Sequence, residues 1–485
     1  MEQNKASTQE YQGNDRLLLG MVMGVITFWL FAQTTLNIAP TMRTDLGIDV
    51  NTSNIAVSIT ALFSGIFIVV IGSFGDRFGR VKTTKFGLIL SIIGSILIAA
   101  SPKGTATFLM TGRIIQGLSA ACIMPNTLAL IKAYYHGAAR QRAVSFWSIG
   151  SWGGSGLCSL FGGILASTIG WRWIFWISII VAIGSFYLIS GTPERKNPKS
   201  NKNKGFDFIG VLTFMIGMVA INIVIGQGAG IGWSSPVILG LAALAVIALF
   251  TFIMVGKRKE NSFIDFNLFK NKTYSGATIS NFLLNGAAGT LLVTISLVQM
   301  GAGLTSFQAG LLTLGYLIAI LMTIRVGEKL LQRWGARKPM VLGCMITGIG
   351  ILMNAFTFVL AGQYMVIAVI GFTLFGIGLG FYATPSTDAA LSTVPAEKAG
   401  SASGIYKMAS SLGTAFGVAI SAAIFTGLSN NSVHFAAEGL YWGRVDNVDI
   451  RYAAGIALLF NLVMVLVAIV SILMTVPTGK SETTE

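Results

Sequence analysis

An all-α protein threaded many times through a lipid bilayer is what this sequence predicts, and three observations carry the prediction. The 485 residues are 53% hydrophobic and only 11% charged, against roughly 25% charged in an ordinary soluble domain. Apolar runs of about 20 residues recur from end to end, each long enough to cross ~30 Å of hydrocarbon as a helix. The net charge of +15 is gathered in the short polar stretches between those runs. Barrel strands are excluded, because they would read as ~10-residue segments of alternating polarity.

In chain order the runs predict helices near 17–39, 53–74, 86–101, 106–131, 143–165, 171–190, 207–229, 236–256, 274–299, 307–326, 339–361, 364–386, 402–428 and 452–475, fourteen spans in all. The first lacks a small-residue cleavage site and is followed by many more, so it reads as a retained helix. The second and third flank the charged octet GDRFGRVK, the fourth carries Arg113, and the fifth is rich in glycine. After the sixth comes GTPERKNPKSNKNKGFD, which has no apolar periodicity and reads as a linker. The seventh and eighth follow it closely, and the remaining six resume the spacing of the first six. Between the last two spans, the polar segment 429–451 reads as a loop or a short cap.

An even number of spans puts both termini on one side. Of the 33 basic residues, 27 fall on that side, five on the other, and Arg113 lies within a span. This asymmetry marks the terminal side as cytosolic. The basic excess is therefore a topological signal facing anionic lipid, and nucleic acid is not an expected partner. Cys122, Cys158 and Cys344 all lie in apolar spans, so no disulfide framework is expected. His136 and His434 fall on opposite sides, no metal-ligand cluster is spaced for binding, and TGKS at 478–481 lacks the leading glycine of a phosphate-binding loop.

The octet has an internal echo. GSFGDRFGRVK lies between spans 2 and 3, and GEKLLQRWGARK between spans 10 and 11, with leading glycines Gly72 and Gly327 255 residues apart. Six helices at ~30–35 residues per span and loop would give ~200, and the surplus matches the two helices at 207–256. The expected division is 1–190, a six-helix bundle; 191–206, a cytosolic linker; 207–256, two central helices; and 257–485, a second six-helix bundle with its tail. Two such halves about an axis along the membrane normal are a transporter architecture, with substrate handled between them.

These motifs resemble those of the major facilitator superfamily. Gly72, Asp76, Arg77, Gly79, Arg80 and Lys82 fall on its loop-2/3 signature, and LMTGRIIQGLSAA places Arg113, Gln116 and Gly117 on a second. GWRWIFWI and NSFIDFNLFKNKTY look like the fourteen-helix drug:proton antiporter branch, and ITFWLFAQ, WSIGSWGGSG, SNFLLNG and YATPSTD are similar to phrases of its quinolone and multidrug exporters. One departure is that Cys158-Ser159 stand where the antiporter signature of span 5 carries Gly-Pro; another is that span 1 has Gln33 and Asn37 but no acid. The resemblance implies the major facilitator fold and a proton-coupled exporter of amphiphilic drugs. An exporter of an endogenous lipid, metabolite or osmolyte is the alternative, and a membrane-embedded enzyme acting on lipid a distant one. It further implies a monomer in the plasma membrane, small-molecule substrates and protons as partners, and no cofactor beyond the proton gradient.

Residue by residue, Asp76 is placed to accept hydrogen bonds from a neighbouring helix N-terminus, with Arg77 and Arg80 in the headgroup zone. The loop is then a latch, by resemblance, or a topological anchor. A guanidinium in mid-span costs ~2.5–3.5 kcal/mol, so Arg113 should face a wet cavity or a partner; by resemblance it serves proton coupling, and a structural bond to backbone carbonyls is the other reading. Asp388 and Glu328, near the inner ends of spans 12 and 10, are the acidic coupling candidates, and Asp388 has Lys407 as its expected salt-bridge partner. Candidates for the substrate cavity are Phe28, Trp29, Phe31, Gln33 and Asn37 in span 1, Gln116, Met124 and Asn126 in span 4, Trp147 and Trp152 in span 5, and Tyr382 and Tyr406 in the second half. Asn281 and Asn285 join them, four apart on one face of span 9, because amides avoid lipid. Aromatic walls with a few amides suit amphipathic ligands of varied shape.

Overall fold

The computed structural model describes residues 12–48, 50–194, 207–259, 262, 264–304, 306–429 and 447–479. Every regular element among them is helical. The first rod is α1 (Asp15–Ile26), a π-helical turn over Thr27–Ala32, and α2 (Thr35–Leu46). Then come α3 (Val50–Phe78), α4 (Arg80–Ala99) and α5 (Thr107–Tyr134). The fifth rod is α6 (Gly137–Ser148), a second π-helical turn over Ile149–Gly153, and α7 (Gly154–Thr168); α8 (Arg172–Ser190) completes the N-terminal set. A hairpin of α9 (Phe208–Ile231) and α10 (Pro236–Arg258) follows. The C-terminal set is α11 (Lys272–Gly286) with α12 (Gly289–Ala302), α13 (Ser306–Leu311) with α14 (Leu314–Trp334), α15 (Arg337–Asn354), α16 (Ala361–Ser392), α17 (Ala399–Ser429) and α18 (Val448–Thr475).

By length and apolarity, eleven of the described helices can cross a membrane, or twelve when the bent pair Gly137–Cys158 and Phe161–Thr168 is one span. The fourteen spans expected from the sequence include two more, whose helices α9 and α15 fall outside that count. α15 has a local reason: it opens on Arg337-Lys338 and closes on Asn354, so only its middle is apolar. Most of the linker, the 430–446 segment with His434, and residue 480 onward lie outside the described residues.

The two sets pack by one plan. In the N-terminal set α5 is clasped by α3 and α4, while α8 lies against α1 and α4. In the C-terminal set α16 is clasped by α14 and α15, while α18 lies against α11 and α15. The contacts between sets are reciprocal as well: α3 and α5 meet α17, and α14 and α16 meet α6. The hairpin rests across the α3–α17 seam, where Val211, Phe214 and Met218 share an apolar cluster with Ile66, Val69, Ala402 and Ile405. Lipid-facing surfaces remain apolar, as at Val246, Ile247 and Phe250 of α10.

One expectation changes form. The octet is not a loop, because α3 runs to Phe78 and α4 begins at Arg80. Apolarity ends where the charges begin, but the backbone hydrogen bonding does not. The chain turns on Gly79 alone, at φ 118°, a conformation L side chains rarely adopt; Gly335 holds the echoing place after α14 at φ 75°. Glu194 then caps α4, accepting from the backbone N–H of Val81 (3.2 Å) and Lys82 (3.0 Å). A Cβ on Gly79 would stand 2.6 Å from the Glu194 carboxyl carbon. Gly79→Ala is expected to cost about 1–3 kcal/mol of stability from backbone strain, read as a lower midpoint of thermal unfolding in detergent.

Candidate functional site

The octet is where the two helix sets are tied. Asp76, in the last turns of α3, accepts the Gly400 N–H on Oδ1 (3.0 Å) and the Ser401 N–H on Oδ2 (2.9 Å). Both donors belong to the first turn of α17, where N–H groups lack helical partners and the helix dipole favours an anion. Arg80 donates to the same Oδ1 from Nε (2.9 Å) and Nη2 (2.7 Å), and onward to the Ala396 carbonyl (2.5 Å). The approach is backbone to backbone: a Cβ on Gly72 would stand 2.6 Å from the Gly400 oxygen. Arg77 and Lys82 are exposed beside this tie.

The turn that leads into α17 is strapped from outside the spans by an ion pair between Lys398 and Asp265. Burial by itself would raise the Asp265 pKa, but the Lys398 ammonium and the Asn267 N–H outweigh it and hold it below the usual carboxylate range. A carboxyl with a depressed pKa stabilises the fold above its unfolded pKa, so this strap is present at neutral pH and lost as pH falls through the lowered value.

Two further cross-set ties lie near the tie at Asp76. Arg140 of α6 bonds Asp388 of α16 at 2.9 Å, with the Asp388 side chain only 2% exposed. Lys132 of α5 donates to the Leu391 carbonyl of α16. Asp388 is therefore not paired with Lys407 as expected. Because α16 packs against α6, Arg140 reaches it first, while the Lys407 ammonium lies 4.3 Å from the centre of the Trp147 ring on α6. Glu328 pairs with Arg325 one turn away on its own helix and accepts from Gln332 Nε2 at 3.3 Å. Arg325 also stacks 4.7 Å over Phe146 of α6.

Arg113 is 1% exposed. It donates from Nε to the Ala56 carbonyl (2.9 Å), and from Nη1 to the Ala32 carbonyl (2.7 Å) and Gln116 Oε1 (3.0 Å). Gln116 passes the chain on to Ser95 Oγ at 3.4 Å. One guanidinium thus joins α5 to α3 and to the end of the π-helical turn in the first rod. Those carbonyls compensate its desolvation, and a guanidinium keeps its proton in a protein, so what Arg113 can supply is position and field.

The C-terminal set holds a matching polar core. Asn281 donates to the Tyr406 carbonyl (3.0 Å) and Ser410 Oγ (2.6 Å), and Asn285 donates back to Asn281 Oδ1 (2.8 Å). The Tyr382 hydroxyl meets Ser280 (2.7 Å) and Ser386 (2.9 Å), and Ser386 meets the Tyr406 hydroxyl (2.9 Å). Four sequence candidates, Asn281, Asn285, Tyr382 and Tyr406, are therefore brought together as one brace linking α11, α16 and α17.

The span-1 aromatics pack among themselves and on α7: Phe28 stands edge-on to Trp29 and Phe31 edge-on to Phe161, each at 5.3 Å. Met124 is buried in one cluster with Phe28 and Ala32. Gln33 and Trp152 are half-buried, whereas the Asn37 side chain lies outside the described residues. Asn126 donates to the Cys122 carbonyl at 2.8 Å beneath Gly75 of α3, which places it in helix packing. Among the described residues, Trp29 Nε1 and Asn126 Oδ1 are buried without a hydrogen-bond partner. The three cysteines are buried and form no disulfide, and the described residues hold no group of three His, Cys, Asp or Glu placed for a metal.

Sequence reasoning passed over Arg140, Lys132 and Glu194. It also missed an echo that would have paired spans 4 and 12: MPNT at 124–127 matches TPST at 384–387, 260 residues on. Pro125 and Pro385 both lie inside helices. Thr127 accepts from Trp147 Nε1 (2.9 Å), and Thr387 lies 3.4 Å from the Tyr406 hydroxyl.

The sequence model described as Major Facilitator Superfamily matches residues 18–418 and 277–484. Over 473 residues, 98% of each chain, the protein is 49% identical to "Quinolone resistance protein NorB" of Staphylococcus aureus (strain MRSA252). It is 50% identical over the same length and coverage to that of strain MW2. Among solved structures, the proton:xylose symporter XylE bound to 6-bromo-6-deoxy-D-glucose superposes with a TM-score of 0.67 at 16% identity, covering 97% of each chain. A bacterial homologue of the iron transporter ferroportin in an outward-facing state gives 0.61 at 12%, covering 95% of this chain and 98% of that one. At such identities these two structures speak for the fold alone.

Proposed function

Because the chain belongs to the major facilitator superfamily, we propose that it exports amphiphilic drugs, quinolones and dyes among them, in exchange for protons by alternating access. It is a membrane transporter and not an enzyme. The observation that carries the reading is the non-covalent tie of Asp76 to the start of α17, which closes one end of the seam between two similarly built helix sets. Such a tie can break and re-form as the sets rock about a central site. The partition is six helices, two, and six, with both termini and the closed end of the seam in the cytosol of a plasma-membrane monomer. Energy comes from the proton gradient, with no cofactor; one charge crossing ~100 mV yields ~2.3 kcal/mol before the pH term.

The proton acts at the ties. Asp388 is buried and holds Arg140 across the seam; protonating it removes the ion pair and lets α6 and α16 part. Asp388→Asn is expected to keep downhill dye movement and lose most of its pH dependence, checked by comparing rates at pH 6 and pH 8. An unchanged pH profile would remove Asp388 from coupling. For the function as a whole, proteoliposomes with an imposed pH gradient should drive a quinolone or ethidium uphill. Failure to move either would overturn it.

A further inference from the structure

Among the described residues, Lys407 is a buried cation with no oxygen partner. Five other basic side chains drawn into the spans or their ends each hold oxygen. Arg80 holds Asp76, Arg140 holds Asp388, Lys132 the Leu391 carbonyl, Arg113 the carbonyls of Ala32 and Ala56, and Arg451 those of Thr357 and Val359. Lys407 on α17, by contrast, is 4% exposed. Among the described residues it makes no hydrogen bond or ion pair, and its contact is the face of Trp147 at 4.3 Å. A ring face attracts an ammonium but leaves its three N–H donors unused, and a buried charge without an anion is costly.

The place of this cation matters. Lys407 lies seven residues beyond Gly400, about 10 Å along the helix at ~1.5 Å per residue, directly behind the tie made by Asp76. It bridges the two sets, from α17 to α6. Two buried carboxylates on helices packed about α17 are already engaged: Asp76 by Arg80 and two backbone N–H groups, Asp388 by Arg140. When the seam opens at this end, the ammonium and the indole face are uncovered together, facing one another across the opening on the path a substrate takes from that side. A cation beside a flat aromatic surface suits an aromatic molecule that carries a carboxylate.

Resting on the export reading above, we propose that Lys407 is the counter-ion for the carboxylate of aromatic substrates, with Trp147 as the stacking surface. The class is aromatic carboxylates, including zwitterions whose second charge lies elsewhere. The acid-free span 1 and the pairing of Asp76 and Asp388 agree with it, since neither of these buried acids is left to compete for the ammonium.

The test measures binding of a quinolone and of its methyl ester, the same ring system without the carboxylate charge, to detergent-purified full-length protein. The unmodified protein should bind the acid at least about tenfold tighter than the ester, and Lys407→Gln should bring that ratio close to one while Lys407→Arg preserves it. Equal affinity of the unmodified protein for acid and ester overturns the proposal without any variant, so it stays testable if Lys407→Gln does not fold. A ratio unchanged in Lys407→Gln overturns it too, as does an equal loss for both compounds, which would make Lys407 a structural or proton-carrying group. Uphill transport by the unmodified protein keeps the two readings apart: absence of transport defeats the export reading, whereas intact transport with no acid preference defeats only this one.

Discussion

Replacing Arg113 with alanine is expected to cut drug flux driven by a pH gradient by at least about tenfold while the protein still inserts. The reasoning is a contrast of two costs. Removing a guanidinium from mid-span relieves an insertion penalty of ~2.5–3.5 kcal/mol, so the amount of protein in the membrane should not fall. What is lost is the donor to three acceptors: the Ala56 carbonyl, the Ala32 carbonyl and Gln116 Oε1. Each buried polar group left unsatisfied costs about 1–3 kcal/mol, and the three sit on different helices. The deficit therefore falls on the register of the first rod against α5. Arg113→Lys should recover only part of the flux, because one ammonium cannot span acceptors on two helices as a planar fork does. Flux in proteoliposomes, set against membrane yield by immunoblot, reads both quantities. Near-normal flux in the alanine variant would remove Arg113 from the working mechanism.

Asp76→Ala should bring transport close to background, for a different reason. Asp76 is the shared acceptor of two α17 backbone N–H groups and of Arg80. Its loss leaves three donors without an acceptor at the closed end of the seam, and removing one partner of a buried pair costs about 3–5 kcal/mol. Asp76→Asn should be nearly as damaging, since one amide end presents N–H groups to N–H groups. The closed state should then be depopulated. An engineered cysteine at Ser403, a fully buried position on α17, should react faster with an impermeant maleimide applied at the terminal side once Asp76 is alanine. Unchanged labelling together with unchanged flux would leave the octet as a topological anchor only.

Much of the tie between the two helix sets was legible in the sequence. The octet stood out because charge is rare in this chain, and its echo at Gly327 exposed the repeat. Asp76 was matched to a helix N-terminus from chemistry alone, yet the partner helix, α17, is 324 residues away and nothing local names it. Asp388 shows the opposite case. Lys407 was the basic residue expected across the inner ends of spans 12 and 13, and the pairing failed because α16 packs against α6, where Arg140 reaches Asp388, not because the chemistry was misjudged. The cavity candidates met a similar limit: Asn281 and Asn285 were recognised as amides avoiding lipid, and Tyr382 and Tyr406 as aromatic wall candidates, but sequence could not tell a cavity wall from a brace between helices.

By itself the sequence determined residence in the membrane, the order and approximate extent of the helices, the sidedness of the charge and the presence of a duplicated plan. These follow from hydrophobic length and charge placement, which are properties of one segment at a time. Tertiary structure alone decided which cation meets which acid. Arg140 and Asp388 lie 248 residues apart, and helix crossings over such separations are set by packing, which no local pattern encodes. Those crossings also left Lys407 on an indole face, when its neighbours in sequence had offered it a carboxylate.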